Sequence, residues 1–329
     1  MLTEYYNKET KTLTLPFEFN SLLKDLPFKT KIIIFEENYS EKKISKFNQI
    51  VNILPNNLTH LTFGSQFDQR LVNLPNNLTH LPFGASFNQP FDITCKNLFL
   101  QTHQKNKIIF DNDNLLNNLP HGGSFNQPVD NLPTSLTHAT FGYNFNQPVN
   151  NLPNNLIYLT FGYNFNQPVD NLPNALTHAT FGYNFNQPVD NLPNNLTHVT
   201  FGYDFNQPVN NLPNSLTHAT FGYNFNQPVN NLPNSLTHVT FGWKFNQPIN
   251  NLPNTLTHVT FGFKFNQLIN NLPNTLTYLK FGGFCFNQKT DNLPLNIKEI
   301  KIVDNILNLL NKIPFGCKVV NQNNREIFI

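Results

Sequence analysis

The sequence predicts a β-rich solenoid with little helix, and three observations carry that expectation. One phrase, FNQPVNNLPNSLTHATFGYN, restarts with small variations at Phe145, Phe165, Phe185, Phe205, Phe225, Phe245 and Phe265, a period of 20 residues. Self-similarity at such a period marks short supersecondary coils, each burying its apolar face only when a neighbour stacks on it. Within one copy, Leu159 and Phe161 alternate with Tyr158 and Thr160, which is the period of a half-buried strand, and Gly162 ends it. Pro168 and Pro173 then fix φ and delete backbone donors, so the return half of the coil is extended or turn-like.

The spacing L-x-x-L-x-F, followed by a turn, an Asn, a Phe and then Leu-Pro, resembles the leucine-rich repeat in its shortest form. The phrases FNQP, NLPNSLT and FGYNFNQP resemble the FNIP repeat more closely, and the likeness covers most of the chain. That resemblance implies a leucine-rich-repeat-like stack of a kind found in social amoebae and amoeba-infecting giant viruses. It also implies an interaction scaffold, often placed behind an F-box that selects targets for ubiquitination. No F-box is visible: the repeat register is entered by about Thr12.

Taken in order, residues 1–12 form an amino-terminal cap, in which Leu2–Tyr6 and Lys11–Leu15 flank Asn7–Thr10 as a hairpin over the first strand edge. Repeat coils occupy 13–98. The second places Ile33 and Phe35 in its strand and carries a Lys- and Glu-rich insertion at 36–46, read as a solvated loop. Residues 99–124 are irregular or a decayed coil: polar residues stand at Gln101–Lys107 where a core strand is due, and Ile108–Phe110 is the remaining strand candidate. Regular repeats fill 125–313, with one extra residue at Gly283-Phe284-Cys285. The segment 314–329 supplies the last strand and a carboxy-terminal cap. About 14 coils at roughly 4.8 Å between strands give a stack on the order of 70 Å long.

Two columns of rings, Phe141 with its counterparts to Phe261 and Phe145 with its counterparts to Phe265, are expected to fill the core. The Asn of FNQ, as in Asn146, Asn166 and Asn186, is the candidate for a buried ladder that satisfies turn backbone lacking a strand partner.

Composition narrows the function. Only 12% of residues are charged and the formal net charge is +2, with no basic run, so neither nucleic acid nor a membrane surface is an expected partner. Three cysteines without Cys-x-x-Cys spacing argue against a disulfide framework and a zinc site. The opening MLTEYYNKETK lacks an apolar signal core, so an intracellular location is expected, and the Asn-x-Ser/Thr sequons read as accidents of the repeat.

If Leu159 and Phe161 point inward, their neighbours form the open face of the strands. That face carries His138, Tyr158, His178, His198, His218, His238 and His258 in one column and Thr140, Thr160, Thr180, Thr200, Thr220 and Thr240 in another. Trp243 belongs to an aromatic column beyond the strand glycine, with Tyr143 through Tyr223 before it and Phe263 after it. In-register imidazoles run parallel instead of converging on a tetrahedral ion, and no thiolate or carboxylate joins them, so no metal is expected. No phosphate loop, nucleophile elbow or isolated carboxylate pair is present; neither catalysis nor a cofactor is expected. The reading is a non-enzymatic scaffold that holds a partner protein on its His/Thr/aromatic face. Its alternatives are a surface for a repetitive ligand such as a glycan, or a family copy without activity.

Overall fold

A computed structural model describes residues 2–72, 75, 77, 86–90, 107–109, 124–130, 132, 136–310 and 312–327. The chain divides into two compact units, Met1–Phe165 and Asn166–Ile329, both wound as β-solenoids from the same coil. Among the described residues the only helical segments are short 3-10 turns.

In the first unit the strands are β1 (Tyr6–Asn7), β2 (Thr12–Leu15), β3 (Ile32–Phe35), β4 (His60–Thr62), β5 (Lys107–Ile109), β6 (His138–Thr140) and β7 (Tyr158–Thr160). The sheet β2-β3-β4 is parallel, and β5-β6-β7 likewise. β1 runs antiparallel to β2, with Tyr6 opposite Leu13, so the expected hairpin is present. Its outer arm, however, is mostly wound into a 3-10 turn at Leu2–Tyr5.

The insertion at 36–46 is less of a free loop than its charge suggests. An antiparallel bridge joins Asn38 to Lys43, and the Glu37 carboxylate folds back to accept from the amides of Ser45 and Ser65 and from the Ser65 hydroxyl. Ser45 is fully buried there, while Glu36, Asn38, Ser40, Glu41, Lys42, Lys43, Ile44 and Lys46 remain exposed.

Most of 99–124, including Phe110, lies outside the described residues. β5 is Lys107–Ile109, one residue earlier than expected, and it pairs in register with β6. The coils around that segment meet directly: Phe125 stacks on Phe87 at 6.2 Å, and the Asn126 amide donates to Asn88 Oδ1 at 2.8 Å. Phe87 and Phe125 are therefore neighbours in the stack.

The second unit contains β8 (His178–Thr180), β9 (His198–Thr200), β10 (His218–Thr220), β11 (His238–Thr240), β12 (His258–Phe261), β13 (Tyr278–Phe281), β14 (Glu299–Lys301) and β15 (Lys318–Val320). All pair in parallel, identical positions facing each other: His198 against His218, Val199 against Ala219, Thr200 against Thr220. After β15 the chain turns back. Glu326 forms an antiparallel bridge with Val320, and the Ile327 amide donates to Val319 O, which covers the last strand. The expected continuation through Phe328 and Ile329 lies outside the described residues.

Two turns shape each coil. In one, Pro213 O accepts from the Leu216 amide at 3.0 Å; in the other, Gly202 O accepts from the Phe205 amide at 3.4 Å. Proline at the head of the first turn restricts the φ of the chain entering it and has no N–H to satisfy. Between the turns the return segment has no strand ladder, and the Asn of FNQ replaces it. Asn186 Oδ1 accepts from the Asn206 amide at 2.9 Å and from Gln207 Nε2 at 3.2 Å, and Asn206 does the same for Asn226 and Gln227. This is the expected ladder, except that its amides are half-buried rather than fully enclosed.

Inside, the two Phe columns lock together. Phe201 lies 3.9 Å from Phe205 and 5.6 Å from Phe221, all nearly parallel and no more than 2% exposed. Burial of each ring contributes about 1.5–3 kcal/mol before conformational entropy is set against it.

Candidate interaction face

The strand period of two decides which side chains face out. Ala179, Val199, Ala219 and Val239 are buried, whereas the His and Thr on either side are half-buried or exposed. These strands are three or four residues long, so each offers two outward columns.

In the second unit the imidazoles of His178, His198, His218, His238 and His258 form one stack, with successive centroids 4.1–4.3 Å apart and planes within 14° of parallel. Tyr278 continues it at 5.4 Å. In the first unit His138 stacks on Tyr158 at 4.4 Å, and Tyr158 is 41% exposed. Thr140 and Thr160 stand in register there, as do Thr180, Thr200, Thr220 and Thr240 in the second unit.

A second threonine, the residue before each histidine, orients the rings. Thr197 Oγ1 lies 2.8 Å from His198 Nδ1 and donates to Thr177 O at 3.0 Å; Thr217, Thr237 and Thr257 repeat the arrangement. A hydroxyl has one proton. With that proton on the carbonyl, Oγ1 accepts from Nδ1–H, which fixes the neutral tautomer and leaves the Nε2 lone pair outward. The face thus presents a row of hydrogen-bond acceptors beside threonine hydroxyls.

Burial, and then the charge of neighbouring imidazoles, hold His178, His218 and His238 below the ordinary histidine value. The Tyr278 phenol is raised, first by burial and then by the adjacent Glu299 carboxylate. Near the end of the stack, burial and Glu299 push the Cys317 thiol up to about 11, against a lowering hydrogen bond from Ile300 backbone.

Beyond the strand glycine runs the aromatic column. Tyr183, Tyr203 and Tyr223 stack at 4.3 Å, Trp243 follows at 5.4 Å, and Phe263 lies 4.1 Å from Trp243 with planes 3° apart. Trp243 is 39% exposed. In the first unit Tyr143 and Tyr163 stack at 4.6 Å. Parallel rings cannot aim their nitrogens at one ion, and among the described residues no group of three His, Cys, Asp or Glu side chains converges as a metal site would require. No helix among the described residues is long and apolar enough to cross a membrane.

Parallel in-register strands, Leu-Pro turns and a side-chain amide ladder in place of a helix define a leucine-rich-repeat-like β-solenoid. The chain belongs to the FNIP Repeat family, whose pattern matches residues 47–95 and 125–284 in overlapping windows. No curated protein sequence matches it. Among solved structures it is similar to CroV588, a giant-virus protein described as a circular leucine-rich-repeat protein, with 42% identity, a TM-score of 0.74 and 94% of this chain covered. The match spans 46% of CroV588, so this chain corresponds to less than half of that protein. YopM, a leucine-rich effector protein from Yersinia pestis, shares the fold, with a TM-score of 0.53 and 19% identity over 97% of this chain and 85% of YopM. Folds of this kind are typically non-catalytic and commonly used for protein interaction.

All fourteen face residues expected from the sequence fall on described positions, and those within each unit share one side of their strands or the adjoining aromatic column. Sequence reasoning missed the orienting threonines Thr177, Thr197, Thr217, Thr237 and Thr257. The signal was legible as the T of LTH, invariant from copy to copy wherever His follows it in this unit.

Proposed function

We infer that the protein is a non-enzymatic interaction scaffold that holds a partner protein against the open face of its strands. The observation that carries this reading is the stack of oriented imidazoles, each with an outward acceptor nitrogen, bordered by threonine hydroxyls and by Tyr and Trp edges. Such a surface offers hydrogen bonds and large aromatic contact at little entropic cost, because stacking already restrains the side chains. Repetition of one coil also supports a non-catalytic role, since an active site is normally a single constellation. The half-buried thiols of Cys285 and Cys317 suit a reducing, intracellular setting.

Capture from lysate of an FNIP-bearing host, comparing wild type with His178→Ala/His198→Ala/His218→Ala, tests the reading. One discrete partner retained by wild type and lost by the variant is the expected result. Equal retention moves the contact off this face, and no specific capture by either protein removes the scaffold reading. Target selection for ubiquitination is the narrower task that the family suggests; co-capture of a ubiquitin ligase subunit would support it, and a partner without one would set it aside.

A further inference from the structure

The open face of the second unit changes character toward its carboxy-terminal coils. The column that is Asn184, Asp204 and Asn224 becomes Lys244 and Lys264, and the column that is threonine from Thr180 to Thr260 becomes Lys280 and Lys301. Lys280 stands in register with Lys301 on the neighbouring strand. Like charges directly opposite on a sheet are destabilising, and among the described residues no carboxylate forms an ion pair with any of the four lysines. Lys301 instead donates to the side chain of Asn324, and Lys244 Nζ sits 5.7 Å from the Tyr223 ring. Glu299 is the carboxylate on the neighbouring column, in register with Tyr278 and Lys318.

Trp243 and Phe263 directly precede Lys244 and Lys264 in the chain, and Phe284 packs against Phe263. The first two cover each other's faces, and Phe284 meets Phe263 edge-on at 6.0 Å while remaining 57% exposed. The edge of an aromatic ring carries the positive part of its quadrupole. Stacked rings that expose edges therefore add to the lysine field.

We propose that Lys244, Lys264, Lys280 and Lys301, with the edges of Trp243 and Phe263, form a docking site for an acidic polypeptide segment. Charge complementarity is the ground for it, because among the described residues these four lysines have no ion-pair partner, and an acidic partner relieves their repulsion. Nucleic acid fits less well. Its bases need open aromatic faces to stack on, which Trp243 and Phe263 deny each other, and no arginine occurs between Lys244 and Lys301. The inference rests on the strand face being an interaction surface and assigns the partner's chemistry at one end of it.

Trp243 is the only tryptophan in the chain, so its fluorescence reports on the site. The titrant is a blocked decapeptide of alternating Asp and Glu, with decathymidylate as comparison. The expected result is a saturable change whose affinity drops about tenfold between 50 and 250 mM salt, as screening of surface charge requires. Lys244→Asn/Lys264→Asn/Lys280→Thr should lose about tenfold or more in affinity. These substitutions install residues that the same columns carry in other coils, so the fold should be kept; if the melting temperature nonetheless falls, Lys264→Glu alone serves, with the same loss expected. Equal affinity in the lysine variants, no saturable change in wild type, or decathymidylate binding as tightly as the peptide would each overturn the proposal. The His178/His198/His218 alanine variant should still bind the peptide. Failure of the peptide while that variant still loses the lysate partner would sink this site and leave the scaffold reading standing.

Discussion

At the residue scale the histidine stack sets a pH dependence with a defined sign. In the unfolded chain these imidazoles titrate near 6.5, whereas burial and neighbouring imidazoles lower His178, His218 and His238 in the fold. Between the two values the unfolded chain binds more protons. Stability is therefore fully present above about pH 6.5 and is lost as pH falls through the folded values. Thermal melts from pH 7.5 to 5 should show a declining midpoint, and a flat profile would contradict the stack. The orienting threonines make a second prediction. Nitrogen NMR at pH 8 should find His198, His218 and His238 in the Nδ1–H form, and Thr217→Val should release His218 to a mixture of tautomers. An Nε2–H signal in the intact protein would show that the threonine protons go to the rings instead.

At the scale of the coil, close approach and the amide ladder decide what can be changed. A Cβ at Gly222 would sit 1.7 Å from Gly202 O, and one at Gly242 would sit 1.7 Å from Gly222 O. The obstacle is backbone of the neighbouring coil, so no side-chain movement relieves it. Gly222→Ala should cost more than about 3 kcal/mol by denaturant unfolding, beyond the usual range for a single substitution; a cost below 1 kcal/mol would mean the coils are spaced more widely than described. Asn206→Ala removes the acceptor for the Asn226 amide and Gln227 Nε2. Leaving a half-buried donor without its partner should cost about 1–3 kcal/mol. Asn206→Asp should cost much less, since Asp68 already fills this place and accepts from the Asn88 amide at 2.8 Å.

At the scale of the chain, period and alternation made the architecture legible. Leu159 and Phe161 against Tyr158 and Thr160 sufficed to assign the inner and outer sides of a strand, because a period of two leaves no other choice once one side is apolar. Asn146 and its counterparts were legible because a coil without helix or strand in its return half must satisfy backbone by side chains. What escaped the sequence depends on three-dimensional neighbours of unequal spacing. Glu37 reads as one more solvated charge until the Ser45 and Ser65 amides are seen around it. Lys280 and Lys301 are 21 residues apart and look scattered until the extra residue near Cys285 brings them into register. The junction of Phe87 with Phe125 was hidden for the same reason, since their separation departs from the 20-residue period.

The reading of the molecule as a scaffold stands on the strand face, and one comparison tests it most directly. Partner capture is measured with wild type, with His178→Ala/His198→Ala/His218→Ala, and with Asn191→Ala/Asn211→Ala/Asn231→Ala, which alters exposed positions in the return half of the coil. All three proteins should first be shown to melt cooperatively. Capture should disappear with the histidine variant and persist with the asparagine variant. Persistence with the first and loss with the second would place the contact in the return segments and contradict the account.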